Sequence, residues 1–339
     1  MRLEYKYIVG TQFMFYELEM LPEYVEALTD TLTDVENKDN VCFDFNLNIS
    51  EYFEKIDTSR TSKEELIEKF ETTIAPLKEL TNVKTSIYDD NNKARSMVDY
   101  RRDLNYFGCQ DYDYVIWGES DAFPPKQMFQ VLDMLKTQAN SQGIHRYITT
   151  FAVRKMWDDS WRILEHTEFE DKPYHGAAEE PELAYSMPYS IRYTMSKKEM
   201  DELNDKTTEL DVRLIEYPKF DGSFLIISSD VIKSGVNVPH SIMGHLVDDT
   251  SMMHMCMRIL GKQYRQFVVK NILKVHNRNN PKKRTYALDM NEKDRLDDVT
   301  NFKKGDWFYR MKKLVHFNLE NFFDSQARFN TIKDFEQGE

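Results

Sequence analysis

An α/β fold built on a mostly parallel central sheet flanked by helices follows from three features of the chain. Strand-like and helix-like segments alternate through its first half, several strand segments are bounded by turn chemistry, and capping signatures mark helix starts. Tyr5–Gly10 (YKYIVG) reads as a first strand, and the spacing of Tyr24, Leu28 and Leu32 predicts a helix from Pro22 to about Val35. Val41–Ile49 alternates apolar and polar, as a strand does. Ser62 followed by Glu65 is a capping box, and Leu66, Ile67 and Phe70 fall on one face behind it. Val83–Tyr88 predicts a short strand that ends in an Asp–Asp–Asn–Asn turn, and Tyr114–Trp117 predicts a buried one. A helix from about Lys126 to Ala139 and a strand over His145–Val153 complete the alternation.

Past Met156 the pattern loosens. Glu168–Pro188 reads as a long excursion, and Ser196 with Glu199 opens a short helix with a second capping box. Phe220–Ser228 (FDGSFLIIS) returns to strand, Thr250–Leu260 is a Met-rich helix with Gly261 placed to end it, and Phe267–Val275 is β-like. Phe308, Met311, Val315, Leu319 and Phe322 line one face of a C-terminal helix. One domain with a helical C-terminal extension accounts for the whole pattern.

Composition narrows the function classes. A net charge of -13 argues against nonspecific nucleic-acid binding. No apolar run reaches the ~18–20 residues of a membrane span, and charges interrupt MRLEYKYIVGTQF before a signal-peptide core forms. Cys42, Cys109 and Cys256 are widely spaced, which argues against a disulfide framework or structural zinc and for a cytoplasmic protein.

The chemistry concentrates in two places. YVIWGESDAFPPK delivers Glu119 and Asp121 to the end of a buried strand, and in an open parallel sheet that rim is where ligands gather. Two carboxylates so close repel each other, and a divalent cation would turn the repulsion into coordination. Capping of the following turn by Asp121 and a solvated Glu119 are the bland alternative. The second place is Thr250–Leu288, which holds no Asp or Glu but Arg258, Lys262, Arg265, Lys270, Lys274, Arg278, Lys282, Lys283 and Arg284. Such a run is either a solvated basic face or a seat for an anionic ligand, and the second reading is preferred in so acidic a chain.

DYDYVIWGESDAFPP resembles the metal-binding strand of the Rossmann-like GT-A glycosyltransferases, in which an acidic D-x-D motif closes a strand of the nucleotide-binding half. Other short motifs match in order: Gly10–Thr11–Gln12 after the first strand, Tyr88–Asp89–Asp90, FDGSFLIIS, HLVDDTSMMHMCMRIL and KVHNRNNPKKR. The resemblance covers roughly residues 5 to 284. It implies a catalytic domain over residues 1–284, with a nucleotide-binding half (1–125) and an acceptor-side half (126–284), and leaves 285–339 as the extension. It implies nucleotide-sugar contacts from Gly10, Thr11, Gln12, Asp89, Glu119, Lys282, Lys283 and Arg284, and metal ligation by Asp121, Glu119 and His276, a structural histidine being the other reading of His276. Glu119 departs from the pattern, since the first acid there is usually Asp.

The implied reaction moves a sugar from a nucleotide-diphosphate sugar, with a UDP-sugar as the leading expectation, to a hydroxyl acceptor such as a glycan. Mixed oxygen and nitrogen ligands suit Mn2+ well and Mg2+ acceptably. Inversion would need a carboxylate base. Asp249 is the preferred candidate and Asp248 the other, although an Asp at this point also caps a helix; a retaining outcome stays open. Trp157, Asp158, Asp159 and Trp161 offer sugar-stacking rings and hydroxyl-binding acids or plain core packing, and Tyr174, His175 and Tyr185 offer an acceptor wall. Two rival readings are a nucleotidyltransferase, which GTQFMFYELEM disfavours for want of a glycine-rich basic signature, and a non-catalytic binding protein of the same fold.

Overall fold

The computed structural model describes residues 1–52, 56, 58–59, 61–154, 159–170, 195–219, 221–242, 247–277, 306–321, 329 and 332–338. Ten strands are present in these segments: β1 (Tyr7–Met14), β2 (Val41–Asn48), β3 (Asn82–Tyr88), β4 (Tyr114–Trp117), β5 (Ala122–Phe123), β6 (Tyr147–Ala152), β7 (Val212–Ile215), β8 (Leu225–Ser228), β9 (Arg265–Leu273) and β10 (Val275–His276). The main helices are α1 (Leu21–Asp30), α2 (Lys63–Leu80), α3 (Met97–Asp111), α4 (Met128–Ser141), α5 (Lys197–Asn204), α6 (Ser229–Lys233), α7 (Asp248–Met255), α8 (Asp306–Glu320) and α9 (Ile332–Gly338).

Eight strands form one sheet in the order β3-β2-β1-β4-β8-β6-β9-β7. The pairs β1–β2, β2–β3 and β1–β4 are parallel, β8 runs antiparallel to both β4 and β6, β6–β9 is parallel, and β7 closes the edge antiparallel to β9. All strands of this sheet except β8 and β7 therefore point the same way, which is the mostly parallel sheet the alternation predicts.

Apolar side chains cover both faces. On one, Val9, Phe43, Phe45 and Ile116 pack against Tyr24 and Leu28 of α1, Phe70 and Ile74 of α2, and Phe129 and Leu132 of α4. On the other, Ile8, Cys42, Val115, Trp117 and Ile227 pack against α3, α6, α7 and Leu314 and Val315 of α8. Both capping boxes form: Glu65 N–H donates to Ser62 Oγ, and Glu199 N–H to Ser196 Oγ. The three cysteines are buried and unbonded to one another. Among the described residues, no helix is long and apolar enough to cross a membrane.

Three differences from the sequence reading matter. Strand β1 runs on to Met14, past Gly10, so Thr11 and Gln12 lie inside a strand. Helix α3 and edge strand β7 are additional elements. The C-terminal helix buries Leu314 and Val315 completely, and Asn318 Nδ2 donates to Ser241 O at 2.7 Å; the side chains of Phe308, Met311 and Phe322 lie outside the described residues.

Candidate active site

Strand β4 is four fully buried residues, and its last, Trp117, pairs with Gly10 of β1. A side chain at Gly10 would collide with Leu104 at 2.3 Å and with the Tyr100 hydroxyl at 2.7 Å, so glycine lets α3 press onto the sheet here. Gly118 N–H donates to Gly10 O at 2.8 Å, and the chain leaves the rim as Glu119–Ser120–Asp121. It then re-forms as β5, which pairs antiparallel with β10 and sets His276 opposite Ala122. Asn277 N–H closes the join on Asp121 O at 2.8 Å.

Backbone pairing thus brings residues distant in sequence together. His276 Nε2 lies 3.0 Å from Glu119 Oε2 and 3.8 Å from Asp121 Oδ1. One ligand atom from each of the three falls within 4.8 Å of the others. A cation bound at about 2.1 Å needs donors roughly 3.0 to 4.2 Å apart, so small side-chain movements close the triad on an ion. Two carboxylate oxygens and an imidazole nitrogen suit Mn2+ or Mg2+. Burial lowers the His276 pKa, but the pull of Glu119, Asp121 and Asp221 outweighs it and the pKa is raised.

Arg101 of α3 is 2% exposed and ties this rim to the opposite wall. One guanidinium nitrogen donates to Asp248 Oδ2 at 2.5 Å; the other donates to Glu119 Oε1 at 2.6 Å and Gly222 O at 3.0 Å. The guanidinium also lies 4.8 Å from the centre of the Trp117 ring. A side chain on Gly222 would come within 2.9 Å of Arg101 and 3.7 Å of both Glu119 Oε1 and Asp249 Cβ. Gly222 is therefore the point where the walls meet.

The two candidate bases separate. Asp248 is buried and held by Arg101. Asp249 is half-buried, accepts from Thr250 N–H at 2.7 Å, and has its pKa pushed up to about 7 by burial and then by the charge of Asp248. Helix α7 begins at Asp248 itself, with Val247 before it in the left-handed region at φ 54°. Phe224, at φ 42°, follows the Asp221 turn. Strained non-glycine backbone of this kind costs ~1–3 kcal/mol per residue and gathers at functional sites.

Behind the rim, Asp221 and Lys274 form a buried ion pair at 3.0 Å. Asp221 Oδ1 also accepts from Ser223 N–H at 2.8 Å and Ser223 Oγ at 2.6 Å, and Lys274 donates to Ser223 O. Burial alone would raise the Asp221 pKa; Lys274, His276 and the Ser223 hydroxyl override it and hold it low.

The structure places the other sequence-derived candidates as follows. Thr11 is buried, its hydroxyl 2.6 Å from Tyr24 OH, and Gln12 Nε2 donates to Asn46 Oδ1 at 3.1 Å. Asp89 is paired with Lys63 at 2.5 Å, beside the start of α2. Lys282, Lys283 and Arg284 lie outside the described residues, as do Trp157, Asp158, Tyr174, His175, Tyr185 and the side chain of Asp159. Trp161 is buried under Lys219, whose Nζ sits 4.2 Å from the ring centre. Of the basic run, Lys270 caps the carbonyls of Arg162 and Ile163, and Lys274 meets Asp221.

Arg101 and Asp221 are the site residues that pattern reading passes over. The one sequence signal for Asp221 is its Asp–Gly–Ser turn at the start of a strand.

No family model matches the chain, and no curated protein matches its sequence. Among solved structures it is similar to residues 1–349 of S. aureus TarS, at 11% identity and TM-score 0.41, over 95% of this chain and 82% of that one. It is similar to GalNAc-T7 crystallised with UDP, GalNAc and Mn2+, at 9% identity and TM-score 0.45, over 98% of this chain and 56% of that one. It is also similar to glucosyl-3-phosphoglycerate synthase from Mycobacterium tuberculosis in complex with Mn2+, UDP-glucose and phosphoglyceric acid. That match has 12% identity and TM-score 0.36, over 93% of this chain and 79% of that one. These likenesses are distant, and function is read from the site's own residues.

Proposed function

We propose that the protein is a metal-dependent glycosyltransferase that moves a sugar from a nucleotide-diphosphate sugar to a hydroxyl acceptor, probed first with UDP-sugars and a glycan acceptor. The observation that carries this reading is the convergence of Glu119, Asp121 and His276 at the end of β4, tied by Arg101 to Asp248, the residue before Asp249. A divalent cation held there, Mn2+ by preference, would offset the charge that develops on a leaving diphosphate. Arg101 holds the Glu119 and Asp248 carboxylates in place. Asp249 takes the proton of the attacking hydroxyl, since a pKa near 7 suits a general base at neutral pH. A base on the wall opposite the metal supports an inverting displacement.

In the same reading, residues 1–284 form the catalytic unit and 285–339 extend it, and the free, buried cysteines fit a reducing compartment such as the cytoplasm. The test is slow donor hydrolysis. Incubation with Mn2+ and a panel of UDP-, GDP- and CDP-sugars should release nucleoside diphosphate from one donor class, and a chelator should stop it. No release from any donor, together with no metal-dependent nucleotide binding, contradicts the reading.

A further inference from the structure

Asp221 is 2% exposed, yet its two carboxylate oxygens are treated very differently. Oδ1 accepts from Ser223 N–H, Ser223 Oγ and Lys274 Nζ. Oδ2 is buried and has no hydrogen-bond partner among the described residues. An ionised oxygen left without a donor in such a place is expensive, and a fold keeps one where a ligand supplies the donor. The next residue, Gly222, lies against Glu119, Arg101 and Asp249, and Asp221 is within electrostatic reach of His276 and Asp249. Asp221 therefore borders both the Glu119–Asp121–His276 rim and the candidate base, with one carboxylate oxygen still without a donor among the described residues.

We propose that Asp221 is a specificity-determining residue whose Oδ2 accepts a hydrogen bond from a hydroxyl of the sugar carried by the nucleotide, an inference that rests on the glycosyl-transfer reading above. The chemistry selects the partner. A phosphate oxygen has no proton to give and would be repelled by a fixed negative charge. A sugar hydroxyl is a donor, and its bond to a carboxylate is of the strong, charge-assisted kind. Lys274 fixes the carboxylate in the ionised, proton-accepting form, so Asp221 binds a hydroxyl without removing its proton. The diphosphate goes to the cation, the sugar to Asp221, and the attacking hydroxyl to Asp249.

Calorimetric titration with Mn2+ present, using UDP and then UDP-glucose, UDP-galactose, UDP-N-acetylglucosamine and UDP-N-acetylgalactosamine, tests this. The proteins are wild type, Asp221→Asn and the double variant Asp221→Asn with Lys274→Met, which removes both buried charges so that neither is stranded. For the sugar nucleotide that binds wild type best, both variants should lose roughly tenfold to hundredfold in affinity, as expected for a hydrogen bond to a charged group. UDP itself should bind them as it binds wild type. The deoxy analogues of that sugar nucleotide, titrated into wild type, need no variant: one of them should show the same loss, and the variants should not distinguish it from its parent. Equal loss of UDP and UDP-sugar, weaker Mn2+ binding without nucleotide, or a deoxy series that binds wild type uniformly would each overturn the assignment. Failure of wild type to bind UDP with Mn2+ would instead remove the glycosyl-transfer reading beneath it.

Discussion

Arg101 holds Glu119 by Oε1 at 2.6 Å, which leaves Oε2 turned toward His276 at 3.0 Å. The unusual length of the first acid has a physical reason in this geometry. A glutamate reaches the buried guanidinium with one oxygen and His276 with the other. Glu119→Asp shortens that arm by one methylene, and Glu119→Gln leaves a single, uncharged acceptor oxygen for two partners, so Mn2+ affinity measured by electron paramagnetic resonance should fall in both variants.

Replacing Arg101 by Met strands two carboxylates, the half-buried Glu119 and the buried Asp248, without their counter-charge. Removing one partner of a buried pair costs about 3–5 kcal/mol. Denaturant unfolding of Arg101→Met should show a loss of that order, and a loss under 1 kcal/mol would mean the bridge carries little.

The site should be proton-linked through His276. Its folded pKa is raised above the ordinary 6.5, so in metal-free protein its stabilisation is complete below that value and is lost as pH rises through the folded pKa. Metal-free protein should therefore lose melting temperature as pH climbs above ~6.5. A bound cation needs the neutral imidazole, so Mn2+ affinity should move the other way and rise over the same window. Titrations in two buffers of different ionisation enthalpy would reveal the released proton; His276→Ala should abolish the proton release and reduce the melting-temperature trend to the part carried by Asp249.

Asp249 gives a second pH signature. With its pKa near 7, the Asp249 carboxylate deprotonates as pH rises, so on the proposed base role kcat/KM for transfer should climb through about pH 7 and level off. Asp249→Asn should lower kcat by roughly 10²–10⁴ while UDP binding stays unchanged. An Asn variant with near-normal turnover would point to a retaining reaction or another base.

How much of this was legible in the sequence depends on what each residue packs against. Strand β4 and its acids stand out because four apolar residues end abruptly in Gly118, Glu119 and Asp121. Helix α3 does not, because its buried face carries Arg101, Arg102 and Asn105 where periodicity looks for apolar side chains. Arg102 satisfies the carbonyls of Val238, Pro239 and Ile242, and Asn105 accepts from the Trp117 indole. Those partners lie far along the chain, and no local pattern encodes them. His276 reads as one residue of a basic run; only the pairing of β10 with β5 sets it against the carboxylates. Edge strand β7 is short and half-exposed, so it leaves no clear alternation.

The C-terminal helix should behave as part of the folded unit. Leu314 is fully buried, in the same apolar cluster as Val231, Ile242 and Met252. Leu314→Ala should cost about 2–5 kcal/mol, read as a lower unfolding midpoint. A chain cut before Asp306 should aggregate; a soluble, stable and active truncation would show that α8 serves an external partner instead.

The central claim is that Asp121, with Glu119 and His276, holds a divalent cation that in turn holds a nucleotide diphosphate. The most direct measurement is electron paramagnetic resonance of Mn2+ titrated into wild type and Asp121→Asn, each with and without UDP. In wild type, free Mn2+ signal should disappear at one ion per chain, and UDP should tighten that binding. In Asp121→Asn, which keeps the side chain's shape but not its charge, the free signal should persist at least tenfold higher in Mn2+, with far-ultraviolet circular dichroism unchanged. Equal, UDP-tightened Mn2+ binding by both proteins would contradict the account.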